Sequence, residues 1–118
     1  MRPTEELLEC WQGKTFRKSW TFMDEDGNVI DFTAYTARMQ VRQNFDSEDV
    51  LVELTTENDR ITIDAEYGRI ELFISDTVTA EFTAGTYRWD IELIAGNGDV
   101  LCPFFGKFKV YREVTRGA

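Results

Sequence analysis

The sequence predicts an all-β domain, an antiparallel sandwich or small barrel of about seven or eight strands. Three observations lead there. From residue 14 onward apolar and polar residues alternate with the period of a half-buried strand instead of recurring at helical spacing. Turn-forming clusters such as Asp24-Glu25-Asp26-Gly27 and Gly96-Asn97-Gly98-Asp99 separate the alternating runs. The aromatic share is 14%, carried mainly by nine Phe, and aromatic side chains favour pleated, half-covered surfaces.

The elements follow in order. Residues 1–13 contain Leu7, Leu8 and Trp11 without a clear period and read as an N-terminal arm, leaving 14–118 for the sandwich. In Thr15 to Phe22, the residues Phe16, Trp20 and Phe22 share one face, opposite Arg17, Ser19 and Thr21. Asp24 to Gly27 then supplies a hairpin turn, followed by a short piece from Asn28 to Phe32. The clearest strand has Tyr35, Ala37, Met39 and Val41 inward, with Thr36, Arg38, Gln40 and Arg42 outward. Polar Asn44 to Asp49 is a loop. Val50, Val52 and Leu54 mark the next strand, Ile61 and Ile63 a short one, and Ile70, Leu72 and Ile74 another.

Ser75 to Phe82 reads as a crossover with one helical turn, starting at Ser75 or Asp76 as N-cap. Tyr87, Trp89, Ile91 and Leu93 then lie in register. The last strand runs from Val100 to about Tyr111, with Cys102, Phe104, Phe108 and Val110 on one face. Pro103 has no amide hydrogen for a ladder bond, so it indicates an edge or a bulge near the strand's start.

Composition narrows the function. The net charge is −9, with no compensating run of Lys and Arg, which argues against nucleic acid and anionic membrane as partners. The N-terminus lacks the apolar centre of a signal peptide, and no apolar stretch could span a bilayer. Cytoplasmic synthesis is therefore expected, with Cys10 and Cys102 reduced and serving as small hydrophobes.

No histidine is present, which removes Ser-His-Asp and Cys-His catalysis together with the usual base near neutral pH. No glycine-rich phosphate loop stands between a strand and a helix. Asp24 to Asn28 resembles a calcium loop only in part, because the later bidentate Glu is missing. A plain turn accounts for the same residues. We therefore expect no catalytic residue, no metal and no cofactor.

The informative residues are apolar ones on the polar registers: Leu51, Phe73, Ile94 and Phe105. Because four strands contribute, we expect them to touch one another as an interface patch; the alternative is a bulge that turns some of them inward. With Leu7, Leu8 and Trp11 they are the candidate protein-contact residues. Arg38 and Arg42 read as a solvated face. Trp11 stands outside the strand pattern and is the aromatic on which a sugar-binding alternative depends.

The run Asp26-Gly27-Asn28-Val29-Ile30-Asp31-Phe32-Thr33-Ala34-Tyr35-Thr36-Ala37-Arg38-Met39-Gln40-Val41-Arg42 resembles a segment that joins two strands in small phage and prophage proteins. Leu54 to Asn58 with Ile61-Thr62-Ile63, then Gly68-Arg69-Ile70, then Gly85-Thr86-Tyr87 through Leu93 follow in the same order. Residues 14 to 112 are thereby similar to the immunoglobulin-like N-terminal domain of phage baseplate upper proteins and related tail components. The resemblance implies an immunoglobulin-like sandwich and a virion structural role in tail, baseplate, neck or capsid. It implies other virion subunits, and further copies of the chain, as partners, with the host cytoplasm as the site of synthesis. A carbohydrate-binding module for host-surface glycans is the alternative.

Overall fold

The computed structural model describes residues 3–115. Its strands are β1 (Thr4–Glu5), β2 (Leu8–Trp11), β3 (Phe16–Thr21), β4 (Thr36–Arg42), β5 (Val50–Thr55), β6 (Ile61–Asp64), β7 (Arg69–Ile74), β8 (Gly85–Ile94) and β9 (Val100–Tyr111). A single helical turn, α1 (Asp76–Thr79), crosses between β7 and β8 with Ser75 at its N-cap. The large sheet has the order β1-β9-β8-β4-β5, with β2 following β1 along β9, and the small sheet is β3-β7-β6. The first strands run parallel to the last and every other pairing is antiparallel. This strand order is that of an immunoglobulin-like sandwich.

The alternating registers meet as expected between the sheets. Met39, Val41, Leu54, Trp89, Ile91, Leu93 and Phe108 of the large sheet face Phe16, Ile61, Ile70, Leu72 and Ile74 of the small one, all buried. Trp20 and Trp89 stack across the gap at 6.1 Å, and Phe104 stacks on Trp20 at 4.7 Å. Each large side chain so enclosed contributes about 2 to 3 kcal/mol.

Four sequence expectations are corrected. The segment expected as an arm is built into the sheet: Leu8 is 3% exposed, Cys10 is equally enclosed, and Glu9 and Trp11 point out. Two short pieces carry too few residues to display a period, and their partner β9 lies at the far end of the chain. Asn28 to Phe32 is no strand, because the Asp24 carboxylate holds the amides of Asp26 and Asn28 and leaves one bridge, Met23 to Val29.

Leu51 is the extra residue of a bulge, since Arg42 pairs with Val50 and Val41 with Val52, and it packs against the core. Cys102 does not share a face with Phe104. Ile91 pairs with Phe104 and Leu93 with Leu101, so Cys102 and Pro103 together oppose Glu92 in a second bulge. The bulge signalled by Pro103 is thus present, and β1 begins only one residue further on, at Phe104.

Candidate protein-contact surface

The sequence candidates do not form one patch. Leu8 belongs to the core and Leu51 leans on it, so neither presents a free surface. Phe73 lies on the outer face of the small sheet beneath the Arg17 guanidinium, 4.7 Å from the ring centre, and Arg17 also meets Glu71 at 3.4 Å. Ile94 and Phe105 lie on the outer face of the large sheet, half-buried. Phe105 sits between Asp90 and Glu5, and Ile94 between Thr36 and Val100. Leu7 and Trp11 are exposed at the β2 edge. The split is a consequence of topology: β7 belongs to one sheet, and β8 and β9 to the other.

Trp11 stacks on Tyr111 with ring centres 4.6 Å apart. The Tyr111 hydroxyl donates to Glu9 at 2.5 Å, and Lys109 stands 5.5 Å from the same ring. One face of Trp11 and much of Tyr111 are therefore occupied within the chain.

The outer face of the large sheet is mostly polar and satisfied. Arg38 binds Glu92 at 2.6 Å, Gln40 donates to Glu53 at 2.7 Å, and Arg42 donates to the carbonyls of Ser47 and Glu48. Exposed pairs of this kind contribute little to stability, because solvent screens them. Burial raises the Asp90 carboxyl above the usual carboxylate range, helped by Glu92 and opposed by Arg42 and Arg38.

Glu6, between β1 and β2, ties the N-terminal strand to both sheets. Its carboxylate accepts from Trp20 Nε1 at 2.7 Å and meets Lys18 Nζ at 3.1 Å. Its carbonyl accepts from Trp89 Nε1 at 3.3 Å. For that carbonyl to turn inward the facing residue must lack a side chain, and it is Gly106: a Cβ there would press into the Glu6 carbonyl, at a φ of 155°. Lys18 occupies an inward register of the edge strand β3 and escapes sideways to Glu6, a placement that discourages another strand from pairing.

Both thiols are held in the protonated form at neutral pH, which disfavours a nucleophilic role. Burial pushes the Cys10 thiol up to about 11, and Cys102 is raised as well, first by burial and then by Asp90. Cys10 stands beside Val110, eight residues along β9 from Cys102, roughly 26 Å at the rise of a strand. The two cannot form a disulfide within one chain. Among the described residues no group of three His, Cys, Asp or Glu is placed to hold a metal ion. Nor is any helix among them long and apolar enough to cross a membrane.

Several exposed large apolar side chains are ones the sequence pattern passed over, because they sit in connections between strands. Met23 (59% exposed), Val29 (43%) and Tyr67 (63%) lie together at one end of the sandwich, and Phe45 at the other. An apolar residue flanking a run of acids, as in Met23-Asp24-Glu25-Asp26, was the available signal. Val29 and Tyr67, with Thr21, Asp64 and Arg69, line a shallow open cleft of about 400 Å³.

One comparison with a solved structure supports the fold. The N-terminal domain of phage TP901-1 ORF48 overlays with a TM-score of 0.52 at 13% identity, covering 89% of this chain and 84% of that one. CopC from Methylosinus trichosporium OB3b overlays at a TM-score of 0.49 and 11% identity, covering 93% and 90%. No family model matches the chain, and no curated protein matches it in sequence.

Proposed function

We propose that the chain is a non-enzymatic structural protein of a phage particle, at the tail, baseplate, neck or capsid, acting through contacts with other virion subunits. The observation that carries this reading is where its exposed apolar side chains stand. Leu7 and Trp11 lie on a sheet edge and Met23, Val29, Phe45 and Tyr67 in connections between strands, outward-facing positions suited to another protein surface. The order of the phage-like segments along residues 14 to 112 supports it, as does the overlay with a domain that comes from a phage protein. The role uses no cofactor and no catalytic group.

A glycan-binding role is the second reading, favoured by the exposure of Trp11 beside Glu9 and Lys109. Against it, the Trp11 ring already stacks on Tyr111, on an edge instead of in a groove.

The test is quantitative mass spectrometry of gradient-purified particles from the phage or induced lysogen that encodes the chain. The chain is expected at a constant ratio to the major tail or capsid protein across the particle peak. Its absence from that peak would remove the structural reading. A glycan array, with Trp11→Ala as control, then decides the second.

A further inference from the structure

Three connections meet at one end of the sandwich: residues 22–35 between β3 and β4, 65–68 between β6 and β7, and 95–99 between β8 and β9. The Phe22 amide donates to the Gly68 carbonyl at 2.8 Å and the Phe32 amide to the Ala65 carbonyl at 3.3 Å. Gly96 lies against Ala34, whose Cβ is 3.2 Å from where a Gly96 Cβ would stand. The three connections contain Asp24, Glu25, Asp26, Asp31, Glu66 and Asp99 and no Lys or Arg. The nearest cation in sequence, Arg69, is held by Asp64 at 3.4 Å.

The acids surround an apolar centre. The antiparallel bridge from Met23 to Val29 puts both side chains on one side of their hairpin, and Val29 shares its cleft with Tyr67. Three large apolar side chains, each more than two-fifths exposed, would be covered in a stable contact. The Asp24 carboxylate fixes the hairpin that presents Met23 and Val29, and Thr33 bonds to Asp31 hold the Asp31 carboxyl below the usual carboxylate range.

We propose that this end is the docking surface for a different protein subunit whose own surface is an apolar hollow rimmed by Lys and Arg. Charge complementarity selects the occupant. A second copy would bring a net charge of −9 and its own acidic connections, and nucleic acid would bring phosphates. A basic rim instead neutralises Glu25, Asp26 and Glu66 around Met23, Val29 and Tyr67. This deepens the structural reading by naming the chemistry of the partner. Absence of the chain from particles would remove that reading and leave the titration below to stand by itself.

The test uses the full chain, ¹⁵N-labelled, titrated with a peptide of alternating Lys and Leu and with its twin in which every Lys is Glu. Glu25, Glu66 and Tyr67 are exposed, and no side-chain hydrogen bond among the described residues involves them, so Glu25→Lys/Glu66→Lys and Tyr67→Ala should melt like the parent. The Lys peptide should shift amides within residues 22–30 and 64–68, bind at least tenfold more weakly to either variant, and lose affinity as salt rises. The Glu peptide should shift none of them. Shifts centred on the large sheet's outer face, equal binding to the variants, or no binding at millimolar peptide would overturn the proposal. So would sedimentation of the unlabelled chain as an oligomer that these same variants dissolve, because that assigns the surface to a second copy.

Discussion

The large sheet ends in two edges that are finished in opposite ways. On β5, Asn58 Nδ2 and Arg60 Nη1 both donate to the outward Glu53 carbonyl at 3.0 Å, and Asn58 Oδ1 accepts from the Thr55 amide at 2.9 Å. Side chains from the following turn thus stand where a neighbouring strand would pair. On the opposite edge, the Glu6 and Gln12 amides turn toward β9, bonding Phe105 and Tyr111 at 2.8 and 3.0 Å. Alternation then points the amides of Leu7, Glu9 and Trp11 outward, beside exposed Leu7 and Trp11 side chains. The closed edge is protected by local chemistry. The open one depends on long-range ties to stay in place.

That contrast can be broken from the β2 side with the largest effect. Gly106→Ala drives a methyl group into the Glu6 carbonyl and should cost about 3 kcal/mol, read as a lower urea midpoint with an unchanged slope. Raising the pH should act on the same strand next. The folded Cys10 thiol has its pKa raised to about 11 from an ordinary 9.0, so its contribution is intact below pH 9 and is lost as the pH climbs toward 11. Stability should fall by roughly 2 to 3 kcal/mol over that window, and by less in Cys10→Ala measured against its own neutral-pH value.

Glu6→Ala removes the acceptor of Trp20 Nε1 and should cost about 1.5 kcal/mol in chemical denaturation, the Lys18 pair adding little because it is partly solvated. The smallest change belongs to the closed edge. Asn58→Ala should cost about 1 kcal/mol by thermal melting, but it should also raise concentration-dependent scattering, because it uncovers β5 for pairing.

Legibility in the sequence follows the same division. Wherever a strand covers one face of the core, as with Ala37, Met39 and Val41 or Tyr87, Trp89, Ile91 and Leu93, the period of two gave its orientation directly. The pattern failed at Leu51 and Cys102, where a single extra residue shifts the register, and at Leu8, whose parallel partner Phe108 lies a hundred residues away. Phe105, Ile94, Leu7 and Trp11 do face outward. Met23, Val29 and Tyr67 carry no strand period, and only the folding of distant connections to one end makes neighbours of them.

Hydrogen exchange, compared between the isolated chain and the purified particle, tests the account most directly. It predicts new protection on assembly across residues 22–30 and 64–68, whether or not the Leu7, Glu9 and Trp11 amides are covered as well. Protection confined to residues 7–11 would make the open β2 edge the docking site and contradict the assignment of the acidic end.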